Sequence, residues 1–152
     1  MISLISRTPL IAIVLFTQTA FAQPSQNAEP IGGSPNDPNV KAIMAYYNAF
    51  EKKDWNMIQG VLADGFTFSS PLDDHISVAN FKERCWPNCN NIKSFSVDKF
   101  VINGDNAFVI TNGYTNSGKL FRNCDCFKLK DGKITAYECF FGPGINYPNS
   151  GK

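Results

Sequence analysis

Apolar residues in the first half of the chain recur at helical spacing. Val40, Ile43, Met44, Tyr47 and Phe50 fall three or four positions apart, the period of one helix face. Asp37-Pro38 precedes them; Asp is a good N-cap and Pro suits the first helical position. A second helix is expected from Asp54, carrying Trp55, Ile58, Val61 and Leu62 and ended by Asp64-Gly65. Phe66 to Ser70 alternates and reads as a strand, followed by a loop from Pro71 to His75. Ser77 is expected to cap a short third helix bearing Val78, Phe81, Cys85 and Trp86, which Pro87 stops.

The period then changes to two. Phe95 to Ile102 and Ala107 to Thr115 read as strands separated by Asn103-Gly-Asp-Asn106, and Asn116-Ser-Gly118 turns into a hairpin. At its tip Asp131-Gly132 sits between two alternating runs, a two-residue turn signal. That turn predicts a register in which Leu129 faces Ile134, Phe127 faces Ala136 and Asp125 faces Glu138. These pairs share the core face; Cys126/Tyr137 and Cys124/Cys139 share the other. Helices first and strands afterwards predict an α+β fold. The expected architecture is a cone-shaped curved antiparallel sheet packed against three N-terminal helices, with a pocket inside.

The ends read differently. Arg7, the apolar run Leu10 to Phe16 and Ala20-Phe21-Ala22 predict a secretory signal over residues 1–22, cleaved between Ala22 and Gln23. The mature protein is then periplasmic or secreted. The run is too short to span a bilayer as a helix, so no membrane is expected as partner of the mature form. Residues 23–36 hold three prolines and two glycines among Ser, Asn and Gln, which reads as a flexible tether. The domain is expected over 37–144, with a tail over 145–152. The signal carries one of the 14 basic residues, leaving 13 basic against 13 acidic. That balance, without a basic cluster, argues against nucleic acid and against an anionic membrane surface.

Five cysteines follow the signal, and an exported chain permits disulfides. The predicted register sets Cys124 opposite Cys139 at a spacing a disulfide can bridge. Cys85 and Cys89 could close a small loop across Trp86-Pro87-Asn88, leaving Cys126 over. Cys124 with Cys126 is disfavoured, because residues i and i+2 of a strand lie roughly 6.5–7 Å apart. The alternative is that some of them are small buried hydrophobes. With a single His75 and irregular cysteine spacing, no metal site is expected.

Several segments resemble the SnoaL-like, nuclear transport factor 2-like superfamily. Tyr46 to Phe50 followed by Lys53-Asp-Trp55 resembles that family's first helix and its turn. Phe66 to Asp74 resembles its first strand and the loop at its pocket rim. Phe81 to Asn88 resembles its third helix in an uncharacterised bacterial branch, and Phe127 to Ile134 its last hairpin. The likeness runs from about Asp37 to Gly144. It implies an internal pocket for a small molecule and a homodimer formed through the sheet. The superfamily includes ketosteroid isomerases, polyketide cyclases, epoxide hydrolases, dehydratases and non-catalytic binding domains.

Candidate chemistry follows from the pattern. Asp125 and Glu138 would form an acid pair in an apolar shell, one of them holding its proton and able to move it; the alternative is a solvated pair, or acids satisfied by Asn123 and Arg84. Asp73, Asp74 and His75 fall at the pocket rim, where a histidine beside a carboxylate is a natural base; the alternative is a polar loop that caps the third helix. Arg84 could clamp an anionic ligand or pair with Asp125, or be a surface charge. Tyr47, Phe68 and Trp86 either line the pocket or are plain core, and Asn123 either orients a ligand or satisfies Asp125. Two functions remain open: a cofactor-free isomerase, cyclase, dehydratase or hydrolase using Asp125, Glu138 and His75, or a non-catalytic module that binds a ligand or dimerises.

Overall fold

The computed structural model describes residues 29–141. Helix α1, Pro38–Lys52, opens on Asp37, whose side chain accepts from the backbone N–H of Asn39, and closes on Lys53 in the left-handed region at φ 58°. Helix α2 spans only Trp55–Gln59, capped by Asp54. It was expected to run on through Leu62. Instead Gly60 follows it, and strand β1, Leu62–Ser70, begins two residues later. Leu62 pairs with Ile134 of the last strand and buries its side chain there; a partner 72 positions away outweighs local helical spacing. Asp64-Gly65 becomes an irregularity inside β1, with Gly65 at φ 75°.

Strand β2, Asp73–Ser77, takes up the expected loop from Asp73 to His75. Ser77 caps helix α3, Val78–Arg84, and a 3-10 turn over Trp86–Asn91 carries Pro87. Strands β3 (Ile92–Asn103), β4 (Asn106–Thr115), β5 (Leu120–Lys130) and β6 (Lys133–Phe140) complete a six-stranded sheet in the order β2-β1-β6-β5-β4-β3. The curved α+β architecture is the expected one, but the sheet is mixed: β1 lies parallel to β6 while every other pair is antiparallel. Ile31, within the segment read as a tether, bridges Val101 on the outer strand β3: its N–H donates to the Phe100 carbonyl at 2.8 Å and its carbonyl accepts from the Ile102 N–H at 2.9 Å.

The core lies between the inner face of the sheet and the helices. Ile43 and Ala49 of α1 and Ile58 of α2 meet Val109, Phe127, Leu129 and Ile134. Tyr46 ties the layers together, its ring 5.1 Å from Phe50, 5.7 Å from Phe127 and 5.0 Å from Tyr137. The signal segment with its cleavage point, and the tail over 145–152, lie outside the described residues.

Candidate functional site

The β5–β6 hairpin turns where expected. Lys130 pairs with Lys133, and Asp131 and Gly132 both take positive φ, 51° and 73°, as a two-residue primed turn requires. Three residues later the register slips. Leu129 pairs with Ile134, but Lys128 pairs with Ala136, so Thr135 is an extra residue on β6. Its hydroxyl donates to the Lys128 carbonyl at 3.1 Å. A bulge of this kind re-aims every side chain beyond it.

The consequence is a correction. Asp125 faces Cys139, not Glu138, and Glu138 faces Cys126 on the outer side of the sheet. Tyr137 comes to the core instead and stacks on Phe127 at 4.7 Å and 6°. The acid pair does not form. Nor does the Cys124–Cys139 disulfide: Cys139 is a buried inner residue beside Asp125, Cys124 pairs with Phe140, and all five cysteines, Cys85 and Cys89 included, are free thiols.

Asp125 takes a different set of partners. It is fully buried. Tyr47 donates to Oδ2 at 2.7 Å, Thr111 to the same oxygen at 3.1 Å, and Tyr137 to Oδ1 at 2.9 Å. Burial pushes the Asp125 carboxyl above the usual range, and hydrogen bonds from Tyr47, Cys139, Tyr137 and Thr111 oppose that shift. Desolvation first, and then the Asp125 charge, hold the Tyr47 and Tyr137 hydroxyls well above their ordinary value. Burial first holds the Tyr46 hydroxyl well above its ordinary value too. With their protons committed to the carboxyl, the Tyr47 and Tyr137 oxygens keep only acceptor capacity.

Tyr47, Tyr137 and Cys139 separate Asp125 from a cavity of about 450 Å³. Its walls are mostly aromatic: Tyr46, Phe50, Phe68, Phe81, Phe95 and Phe121 join Tyr47 and Tyr137. Polar groups collect at the mouth. Asp73 accepts from Ser70 Oγ at 3.0 Å and sits 2.7 Å from the Arg84 guanidinium. Cys85 lies against Asp73, and burial with that charge pushes its thiol up to about 11. Arg122, held by Asn112 and Asp98, and Asn123 stand on the same lining.

The expected site residues therefore divide. Tyr47, Phe68, Asp73, Arg84 and Asn123 line the cavity, and Asp125 lies behind its wall. Trp86 packs against Phe50 at 4.9 Å and Trp55 at 5.3 Å, which makes it a buttress of that wall. His75 is an exposed residue of β2 bonded to the exposed Asp74, and Glu138 points to the outer face. Thr111 and Tyr137 went unnoticed. Thr111 carried a signal, being the polar member of the alternating row Ala107, Val109, Thr111; Tyr137 carried none without the bulge. Among the described residues no three His, Cys, Asp or Glu side chains gather as a metal cluster. No described helix is long and apolar enough to cross a membrane.

A curved sheet backed by helices around an aromatic cavity defines a nuclear transport factor 2-like domain, and solved structures of that class superpose on this one. The SnoaL-like domain profile matches residues 43–137, more than half of the chain, and the protein belongs to the SnoaL-like domain family. A nuclear transport factor 2-like protein of unknown function from Cytophaga hutchinsonii is 21% identical, with a TM-score of 0.56 over 69% of this chain and 90% of that one. An epoxide hydrolase of the LEH-like type from M. tuberculosis is 17% identical, with a TM-score of 0.57 over 69% and 83%. TerC, crystallised with polyporic acid, is 21% identical, with a TM-score of 0.59 over 70% and 92%. No curated protein matches the chain.

Proposed function

We propose that this protein is an exported SnoaL-like domain that holds a small, mostly apolar, ring-bearing molecule in its cone. The observation that carries this reading is the cavity of about 450 Å³ walled by Tyr46, Tyr47, Phe50, Phe68, Phe81 and Phe95. Its size suits one small molecule, and aromatic walls favour stacked or edge-on rings. TerC with its polyporic acid supports the ligand class by likeness. Export rests on residues 1–22. A homodimer rests on the family resemblance and on Val101, Phe108 and Phe140, apolar residues left exposed on the sheet.

A second reading, cofactor-free acid–base catalysis, is favoured by one observation: a fully buried carboxyl with its affinity for a proton raised. Glu138 and His75 have no part in it. Proton movement between Asp125 and a ligand would run through the Tyr47 or Tyr137 hydroxyl, because these stand between them.

Native mass spectrometry of the full chain, made in an oxidising compartment, tests the binding reading. The expected result is a retained small molecule, lost in Asn123→Trp, which fills the cavity. A ligand-free protein that also fails to bind a panel of ring compounds would overturn it. If the captured molecule is turned over by the wild type and not by Asp125→Asn, the catalytic reading stands; if neither changes it, binding alone remains.

A further inference from the structure

Strand β5 carries a row of side chains that the cavity does not use. The strand pairs with β4 without irregularity from Leu120 to Lys128, so its residues alternate strictly between the two faces of the sheet. Asn123, Asp125 and Phe127 turn inward. Arg122, Cys124, Cys126 and Lys128 form the outer row. Cys124 and Cys126 are therefore neighbours on one face, both half-buried and both free thiols. Phe108 of β4 and Glu138 of β6 stand opposite Cys126; Ile110 and Phe140 stand opposite Cys124. Arg122, at one end of the row, is held by Asp98 and Asn112.

The spacing of this pair rejects one kind of bond and accepts another. Residues i and i+2 of a strand lie roughly 6.5–7 Å apart, which disfavours a disulfide. A metal ion bonded to two sulfurs at about 2.3 Å each holds them up to about 4.6 Å apart, so each thiol need lean by only about 1 Å from the strand spacing. The surroundings point the same way. Burial pushes the Cys126 thiol up to about 11, and Cys124, Glu138 and Asp125 act on it in the same direction. These neighbours are all acids, and acids around a thiol draw a cation. The number of ligands then selects the ion. Among the described residues no three His, Cys, Asp or Glu side chains gather as a metal cluster. Structural zinc takes four ligands, and calcium and magnesium take oxygens. Thiolates select soft ions such as Cu(I), which forms linear complexes with two sulfurs.

We infer that Cys124 and Cys126 form a two-thiolate site for a soft monovalent metal ion of the Cu(I) class on the outer face of the sheet. On binding, the two S–H groups release their protons to solvent and two S–Cu bonds form. The copper stays Cu(I), so no oxidant or reductant takes part. Phe108, Ile110 and Phe140 border the pair with apolar side chains, a setting that suits a weakly hydrated cation. The site is independent of the cavity, whose own thiols, Cys85 and Cys139, lie on the inner side of the sheet.

Titration of the full chain with Cu(I) held by bicinchoninate, without oxygen and with ascorbate present, tests the site. The wild type is expected to withdraw one Cu(I) per chain. The double variant Cys124→Ser, Cys126→Ser should withdraw none, Cys126→Ser alone should lose the ion as well, and Cys85→Ser should keep it. X-ray absorption at the copper edge should show two sulfur ligands. If the serine variants fail to melt cooperatively, the wild type decides. Cu(I) should then slow the alkylation of Cys124 and Cys126 by N-ethylmaleimide and leave the rate at Cys85 unchanged, as read by peptide mapping. No withdrawal of copper, retention by the folded double variant, or protection of Cys85 instead overturns the site. Half an ion per chain also overturns it, because four thiols from two copies would then share the metal.

Discussion

The Tyr47 hydroxyl and the Asp125 carboxylate meet at 2.7 Å, joining helix α1 to strand β5 across 78 positions of chain. The contact closes the floor of the cone. A helix that approached the sheet at any other height would leave a buried acid facing aromatic rings, so this bond fixes how α1 seats on the sheet. It is also charge-assisted, and therefore stronger than a bond between neutral groups.

Tyr47→Phe removes that donor and keeps the ring, which packs 5.3 Å from Phe95 and 6.1 Å from Phe127. The expected loss of stability is about 1.5–3 kcal/mol, the worth of a hydrogen bond to a charged group. Asp125→Ala should cost more, since it leaves the buried hydroxyls of Tyr47, Thr111 and Tyr137 without their acceptor. Urea denaturation measures both. An unchanged midpoint for Tyr47→Phe would mean that the hydroxyl finds no carboxylate in solution.

The raised pKa of Asp125 gives stability a definite pH dependence. In the unfolded chain this acid loses its proton near an ordinary aspartate value, about 3.9; folded, it holds the proton to higher pH. Between those two values the folded state binds more protons, so stability falls as pH rises. The contribution of Asp125 is complete below the unfolded pKa and lost as pH climbs through the folded one. Asp125→Asn has no proton to lose. Thermal melts from pH 3 upward should therefore show the wild type losing stability relative to this variant. A difference that is flat with pH, or opposite in sign, would place the folded pKa at or below the ordinary one.

These residues also show what was legible in the chain. Period-two spacing placed Asp125, Phe127 and Leu129 on the inner face of β5, where they are buried. Asp131-Gly132 gave the correct turn. What failed was the step from turn to partner. One extra residue, Thr135, reverses the faces of Tyr137, Glu138 and Cys139, and alternation within a strand does not reveal a bulge in it. The parallel pairing of β1 with β6 was hidden for a related reason. Leu62 fits a helical row and a strand equally well, and only Ile134 decides between them. The cavity wall was readable as apolar spacing, but spacing alone did not separate Phe68, which lines it, from Trp86, which backs it.

The same bulge governs the thiols. With Cys139 turned inward beside Asp125 and Cys124 set opposite Phe140, the two sulfurs lie on opposite faces of the sheet. Mild oxidation of the folded protein followed by peptide mapping should yield no Cys124–Cys139 link. Cys139 should also be slow to alkylate: burial and the neighbouring carboxylate hold its thiol well above the ordinary value. Recovery of that crosslink from native protein would overturn the register on which the floor of the site depends.

Gly113 offers the sharpest test of the cavity wall. It pairs with Phe95 on one side and Phe121 on the other, and the Phe121 ring lies directly over it. A Cβ at Gly113 would fall 2.0 Å from Phe121 Cζ. Phe121 lines the cavity and meets Phe95 edge-on at 6.0 Å. Gly113→Ala should therefore drive the ring off the wall, at about 1–3 kcal/mol for overpacking. Phe121→Ala removes the obstacle. In that background the same Gly113→Ala change should instead stabilise, by about 0.5–1 kcal/mol, because alanine is better than glycine inside a strand. The sign of the substitution thus reverses with the state of residue 121, an interaction energy that a double-mutant cycle reads directly. Equal effects in both backgrounds would show that the ring does not rest on the glycine, and that this wall of the cavity is drawn wrongly.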